Sequence, residues 1–84
     1  MAKELWYFYA DWCSYCKQMT PILEEYLEKN PKVEVIRLNA DEDRDAVETA
    51  GVEGFPTIMP IIRGQVQHVI SGVVSLEELE AAMR

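Results

Sequence analysis

The residues best equipped for chemistry are two cysteines three positions apart, in Cys13-Ser14-Tyr15-Cys16, and they are the only cysteines in the chain. A disulfide between them closes almost no loop, so it adds little stability through chain entropy. Small secreted domains stapled by disulfides usually carry four or more cysteines. The spacing therefore suits chemistry better than stapling, and two kinds are open. One is thiol–disulfide exchange. The other is half a zinc site, but structural zinc needs four ligands, and beyond the two thiols only His68 is an obvious candidate. Two idle thiols remain the bland alternative.

The elements that must position this pair can be read from the flanking residues. Leu5-Trp6-Tyr7-Phe8-Tyr9 is a continuous aromatic-rich run, which suits a strand covered on both faces. Cys16, Met19, Leu23 and Leu27 recur at helical spacing, with Ile22 and Tyr26 beside them, so a helix is expected over about residues 13–29. Pro21 inside the pattern is expected to kink it, and Asn30-Pro31 ends it. The cysteines thus fall where a strand becomes a helix. A helix start presents unpaired N–H groups and a partial positive charge, which favours an anionic thiolate at Cys13. Cys16 lies on the same helix face and opens the apolar stripe, so it is expected to be the more buried thiol. In disulfide exchange Cys13 would attack a substrate disulfide and Cys16 would resolve the mixed disulfide. Lys17 is either a source of positive charge for Cys13 or a solvated helix residue.

The rest of the chain completes a mixed α/β pattern. Val33, Val35, Ile36 and Leu38 mark a second strand. Asp41-Glu42-Asp43 offers an acidic start for a short helix that ends near Ala50 and Gly51. Thr57-Ile58-Met59 and Ile61-Ile62 form a third strand, interrupted by Pro60, which cannot donate to a ladder. Arg63-Gly64-Gln65 reads as a hairpin turn. Val66, His68 and Ile70 alternate along a single fourth strand, so His68 is a strand residue and not a catalyst. Ser75 caps a last helix, with Glu78 completing a capping box. The order β-α-β-α-β-β-α demands a parallel first pair with a right-handed crossover, and a later antiparallel hairpin. The expected result is a mixed four-stranded sheet flanked by three helices.

The totals bound the function. The chain has 84 residues, which is read as a single domain over residues 1–84. It buries roughly 60–65% of its unfolded surface, so the core is modest. The net charge of −7, with 15 acidic and 8 scattered basic residues, argues against nucleic-acid binding through phosphates. It is read as a solvated acidic surface, with steering toward a basic partner as the sharper alternative. No apolar run approaches the ~20 residues of a membrane helix. Met1-Ala2-Lys3-Glu4 leads straight into an apolar run too short for a signal-peptide core, which points to a cytoplasmic protein.

Phe8-Tyr9-Ala10-Asp11-Trp12-Cys13-Ser14-Tyr15-Cys16-Lys17, followed by Pro21, resembles the active-site segment of the thioredoxin family. Gly54-Phe55-Pro56-Thr57 resembles its cis-proline segment, and Arg63-Gly64-Gln65 and Ser71-Gly72 resemble its later turns. The resemblance covers nearly the whole chain. It implies a thioredoxin fold lacking the N-terminal strand and helix of longer thioredoxins. It implies that Cys13 is the nucleophile and Cys16 the resolving thiol, with the Cys13–Cys16 disulfide as the redox group and no cofactor or metal. Trp12, Ser14, Tyr15, Phe55, Pro56 and Gly72 would contact substrate. The Phe55 backbone would pair with the incoming peptide as an added strand. Tyr7, Tyr9, Lys17 and Arg37 would support the site, Arg37 falling where the family often has a lysine.

Three departures qualify this. Tyr7 stands where family members carry a buried aspartate that helps deprotonate the resolving thiol, so that step would need another base, such as water. Ser14-Tyr15 replaces the usual Gly-Pro, and Tyr15 is glutaredoxin-like. The glycine-pair-and-aspartate signature by which glutaredoxins hold glutathione is absent at Ser71-Gly72-Val73-Val74. The resemblance implies a monomeric reductant of protein disulfides, with ribonucleotide reductase as a typical client. A thioredoxin-reductase-type enzyme or glutathione would supply electrons. Oxidant or isomerase activity, and a non-catalytic binding subunit, are the competing readings.

Overall fold

The computed structural model describes residues 3–84. Met1 and Ala2, which enter the reading of the chain start, lie outside the described residues. The first strand, β1 (Lys3–Tyr9), starts two residues before Leu5 and alternates its side chains between two covered faces. Helix α1 (Ser14–Lys29) follows after a short turn. It runs without interruption through Pro21, and ends at Asn30, whose side-chain amide donates to the Tyr26 carbonyl at 2.9 Å. Strand β2 (Glu34–Asn39) returns parallel to β1, with Trp6 opposite Ile36 and Phe8 opposite Leu38. Helix α2 (Arg44–Ala50) is short and closes on Gly51.

Strand β3 (Thr57–Ile62) pairs antiparallel with the other edge of β1, placing Tyr7 opposite Ile58 and Leu5 opposite Pro60. Arg63 and Gly64, both at positive φ, form the two-residue turn that reverses the chain, the backbone a tight hairpin requires. The last helix is α3 (Leu76–Ala82). Its capping box is complete: the Ser75 hydroxyl accepts from the Glu78 N–H, and the Glu78 carboxylate accepts from the Ser75 N–H, each at 3.1 Å.

The single fourth strand expected from Val66, His68 and Ile70 is divided. Gln65–Val66 (β4) and Ile70–Ser71 (β5) each pair with β3, and residues 67–69 leave the ladder. The cause is Pro60. Its carbonyl accepts from the Gln67 N–H at 2.8 Å, so its nitrogen faces the same neighbour and has no hydrogen to give. Ile61 faces Val66, whereas Ile58 faces Ile70: three steps along β3 match four along its partner. The extra residue is a β-bulge, which absorbs the missing donor. His68 sits exposed in that bulge rather than on a regular strand face.

The sheet order is β2-β1-β3-β4, with β5 also on β3. One face packs against α1 and α3 through Leu5, Tyr7, Met19, Leu23, Tyr26, Ile58, Leu79 and Met83. The other face carries Trp6 and Met59 beside α2. Among the described residues, no helix is long and apolar enough to cross a membrane.

Candidate active site

The turn between β1 and α1 brings both sulfurs to one end of the sheet. Cys13 is the N-cap of α1: its backbone is extended, and its sulfur accepts the Cys16 backbone N–H at 3.3 Å. That satisfies one of the four donors a helix start leaves unpaired. The Cys13 backbone N–H in turn donates to the Ala10 carbonyl at 3.2 Å. Both thiols are free and buried, Cys13 at 7% and Cys16 at 3% exposure. The difference in burial is therefore smaller than the apolar stripe suggested, and the asymmetry lies in the surroundings.

Cys16 begins the inward face of α1. Burial pushes its thiol up to about 11, and the hydrogen bond with Cys13 adds to that. The Cys13 sulfur lies at the outer end, where its S–H donates to the Phe55 carbonyl at 3.5 Å. Phe55 comes from the loop before β3. The Phe55–Pro56 peptide bond is cis, and Pro56 is fully buried. The Pro56 carbonyl accepts from the Gly72 N–H at 2.9 Å. Gly72 has φ +85°, a conformation that favours glycine. Trp12, 68% exposed, meets the Phe55 ring edge-on, with centroids 6.0 Å apart. Ser14 and Tyr15 are exposed on the first turn of α1. Cys13 thus meets Phe55 directly; Trp12 packs on the Phe55 ring, and Gly72 bonds the carbonyl of the adjoining Pro56.

The four residues expected to support the site divide. Tyr7 is buried directly beneath α1, and its hydroxyl lies 3.2 Å from the Cys16 carbonyl and 3.1 Å from the Thr20 hydroxyl. Burial raises the Tyr7 phenol above its ordinary value, against a smaller opposing pull from the Thr20 hydrogen bond. Tyr9 stacks on Tyr7 at 5.6 Å and also packs against the cluster of Ala10, Cys13 and Cys16. Lys17 is exposed. Arg37 turns toward α1 and pairs with Glu24 at 3.3 Å, an exposed ion pair.

Sequence reasoning overlooked two polar residues. Thr20 returns its hydroxyl to the Cys16 carbonyl at 2.9 Å; its signal is a hydroxyl one helical turn after a cysteine. Asn39, buried at the end of β2, donates to the Asp11 carboxylate at 3.4 Å and accepts from the Asp41 N–H at 2.8 Å. An Asn between an apolar strand and an acidic run is a turn signature that could have found it. Among the described residues, no group of three or more His, Cys, Asp or Glu is placed to hold a metal ion.

A dithiol at a helix start, beside a buried proline loop on a mixed sheet, defines a class of redox-site architecture. The family model for thioredoxin matches residues 2–84, and the chain belongs to the thioredoxin family. It is 36% identical over 75 residues to thioredoxin of Pseudomonas aeruginosa, spanning 88% of this chain and 69% of that protein. It is 43% identical over 58 residues to mitochondrial thioredoxin-2 of Schizosaccharomyces pombe, spanning 69% of this chain but only 44% of that one. The oxidised form of mitochondrial thioredoxin 3 from Saccharomyces cerevisiae superposes with a TM-score of 0.85 at 29% identity, over 95% of this chain and 76% of that one. The fold is the thioredoxin fold, and the kinship supports a thiol–disulfide oxidoreductase.

Proposed function

We propose that this chain reduces protein disulfides by dithiol exchange. The observation that carries the reading is the unequal environment of two free thiols on one helix turn. Cys13 caps the helix at the rim, beside exposed Trp12 and half-buried Phe55. Cys16 faces inward, with its thiol held up by burial.

In the proposed cycle the Cys13 thiolate attacks one sulfur of a client disulfide, and the other client sulfur leaves as a thiolate. Cys16, once deprotonated, then attacks the Cys13 sulfur. The Cys13–Cys16 bond forms, the bond to the client breaks, and its electron pair leaves on the client sulfur that Cys13 had attacked. The client gains two electrons and two protons, and the chain ends oxidised. A thioredoxin-reductase-type enzyme or glutathione would restore the dithiol. Enzymes that finish turnover as a disulfide, such as ribonucleotide reductase, are the proposed clients. The proposed setting is a cytoplasmic monomer, where thiols stay reduced.

A redox titration combined with turnover on a protein disulfide tests this. A potential near −270 mV, the thioredoxin value, fits a reductant, and one near −120 mV would make the chain an oxidant. Disulfide reduction that survives Cys13→Ser would overturn the cycle.

A further inference from the structure

We propose that Tyr7, acting with Thr20, is a positioning residue for the resolving thiol, its hydroxyl fixing the Cys16 carbonyl and with it the approach of Cys16 to Cys13. The inference rests on the dithiol-exchange reading. Three polar groups form a closed triangle under the first turns of α1. The Tyr7 hydroxyl lies 3.2 Å from the Cys16 carbonyl, the Thr20 hydroxyl lies 2.9 Å from the same oxygen, and the two hydroxyls are 3.1 Å apart. Tyr7 is 1% exposed and packs among Leu5, Ile58 and the ring of Tyr9, while Arg37, opposite it on β2, turns its side chain to Glu24. A phenylalanine would fill the same volume without a polar atom to satisfy. The hydroxyl is present where the backbone of Cys16 passes overhead.

The helix has a reason to need this tie. Pro21 has no N–H, so the Lys17 carbonyl, one residue after Cys16, lacks its intrahelical donor. The turn that carries Cys16 therefore borders a gap in the hydrogen-bond ladder. Two hydroxyls on the Cys16 carbonyl hold that turn from beneath. The raised phenol keeps its proton, so Tyr7 remains a neutral donor and takes no proton from Cys16.

The two chemical steps separate with the aromatic disulfide 5,5′-dithiobis(2-nitrobenzoic acid). It releases one coloured thiolate when Cys13 forms the mixed disulfide and a second when Cys16 resolves it. In Tyr7→Phe the first release should keep its rate, and the second should slow about fivefold, equivalent to ~1 kcal/mol for one buried hydrogen bond. Thr20→Val should slow the second release similarly, and Thr20→Ser, which retains the hydroxyl, should restore it. A second release unchanged in both Tyr7→Phe and Thr20→Val would overturn the proposal, as would equal slowing of both releases. If Tyr7→Phe fails to fold, the Thr20→Val and Thr20→Ser pair decides alone. If the unmodified chain shows no second release, the dithiol-exchange reading itself fails, a result distinct from any variant effect.

Discussion

The backbone N–H of Cys16 donates to the Cys13 sulfur across 3.3 Å, so one cysteine caps the helix turn that carries the other. The two thiols share a hydrogen bond yet differ in surroundings, and their reactivities should separate. With the Cys16 thiol held up to about 11, iodoacetamide at pH 8 should label Cys13 first and Cys16 slowly. Peptide mapping by mass spectrometry reads this directly. Equal labelling rates would contradict the asymmetry.

The raised Cys16 thiol also links redox state to alkaline stability. A thiol whose folded value exceeds its ordinary value of about 9 favours the protonated folded state. Its contribution is fully present below about pH 9 and is lost as pH rises through about 11. The loss reaches roughly 3 kcal/mol at most, because each tenfold change in proton affinity is worth about 1.4 kcal/mol. The disulfide form has no such thiol to ionise. Urea unfolding of both forms from pH 8 to 11 should therefore show the reduced form losing stability faster. Parallel curves would be the contrary result.

Trp12 is 68% exposed and touches Phe55 only edge-on, so the fold gains little from it. Trp12→Ala should change unfolding free energy by no more than ~0.5 kcal/mol, as for most surface substitutions. Reduction of a protein disulfide should nevertheless suffer through KM, because an exposed aromatic beside the reacting sulfur is contact area for a client. Steady-state kinetics on insulin reduction, with kcat and KM resolved, checks this. An unchanged KM would remove Trp12 from the docking surface.

Arg63 occupies the first central position of the β3–β4 turn at φ +56°. Left-handed backbone costs a residue with a long side chain of order 1 kcal/mol, and asparagine tolerates it better. Arg63→Asn should stabilise the chain by about 0.5–1 kcal/mol with no effect on disulfide reduction. Thermal or urea unfolding measures the gain, and a loss of stability would mean that the arginine makes contacts which outweigh its backbone.

Much of this architecture was readable because the signals are local. Cys16, Met19 and Leu23 repeat at helical spacing and are buried in α1, where Tyr26 rather than the expected Leu27 completes the buried stripe. Ser75 and Glu78 complete each other's hydrogen bonds three residues apart. The failures have a different origin. Val66, His68 and Ile70 alternate like a continuous strand, but their pairing depends on Pro60, on the neighbouring strand. Arg37 lies opposite Tyr7 in register, as the strand pattern implies, but its ion pair with Glu24 on α1 needs a partner that the pattern does not mention. Thr20 and Asn39 were overlooked because a polar side chain acquires its meaning from partners distant in sequence, here Tyr7 and Asp11. The motif identified the thiols, while the hydroxyls and amides around them had to be seen in place.

The bulge opposite Pro60 also bears on how the molecule behaves in a crowd. An outer strand is an open template, and a long regular one invites other chains to add themselves to the sheet. Here that border offers two pieces of two residues each, out of step with one another by one position. A foreign strand in register with β4 would fall out of register at β5. A proline that costs the sheet one internal bond thereby makes this border, unlike the regular one at β2, a poor template for an added strand.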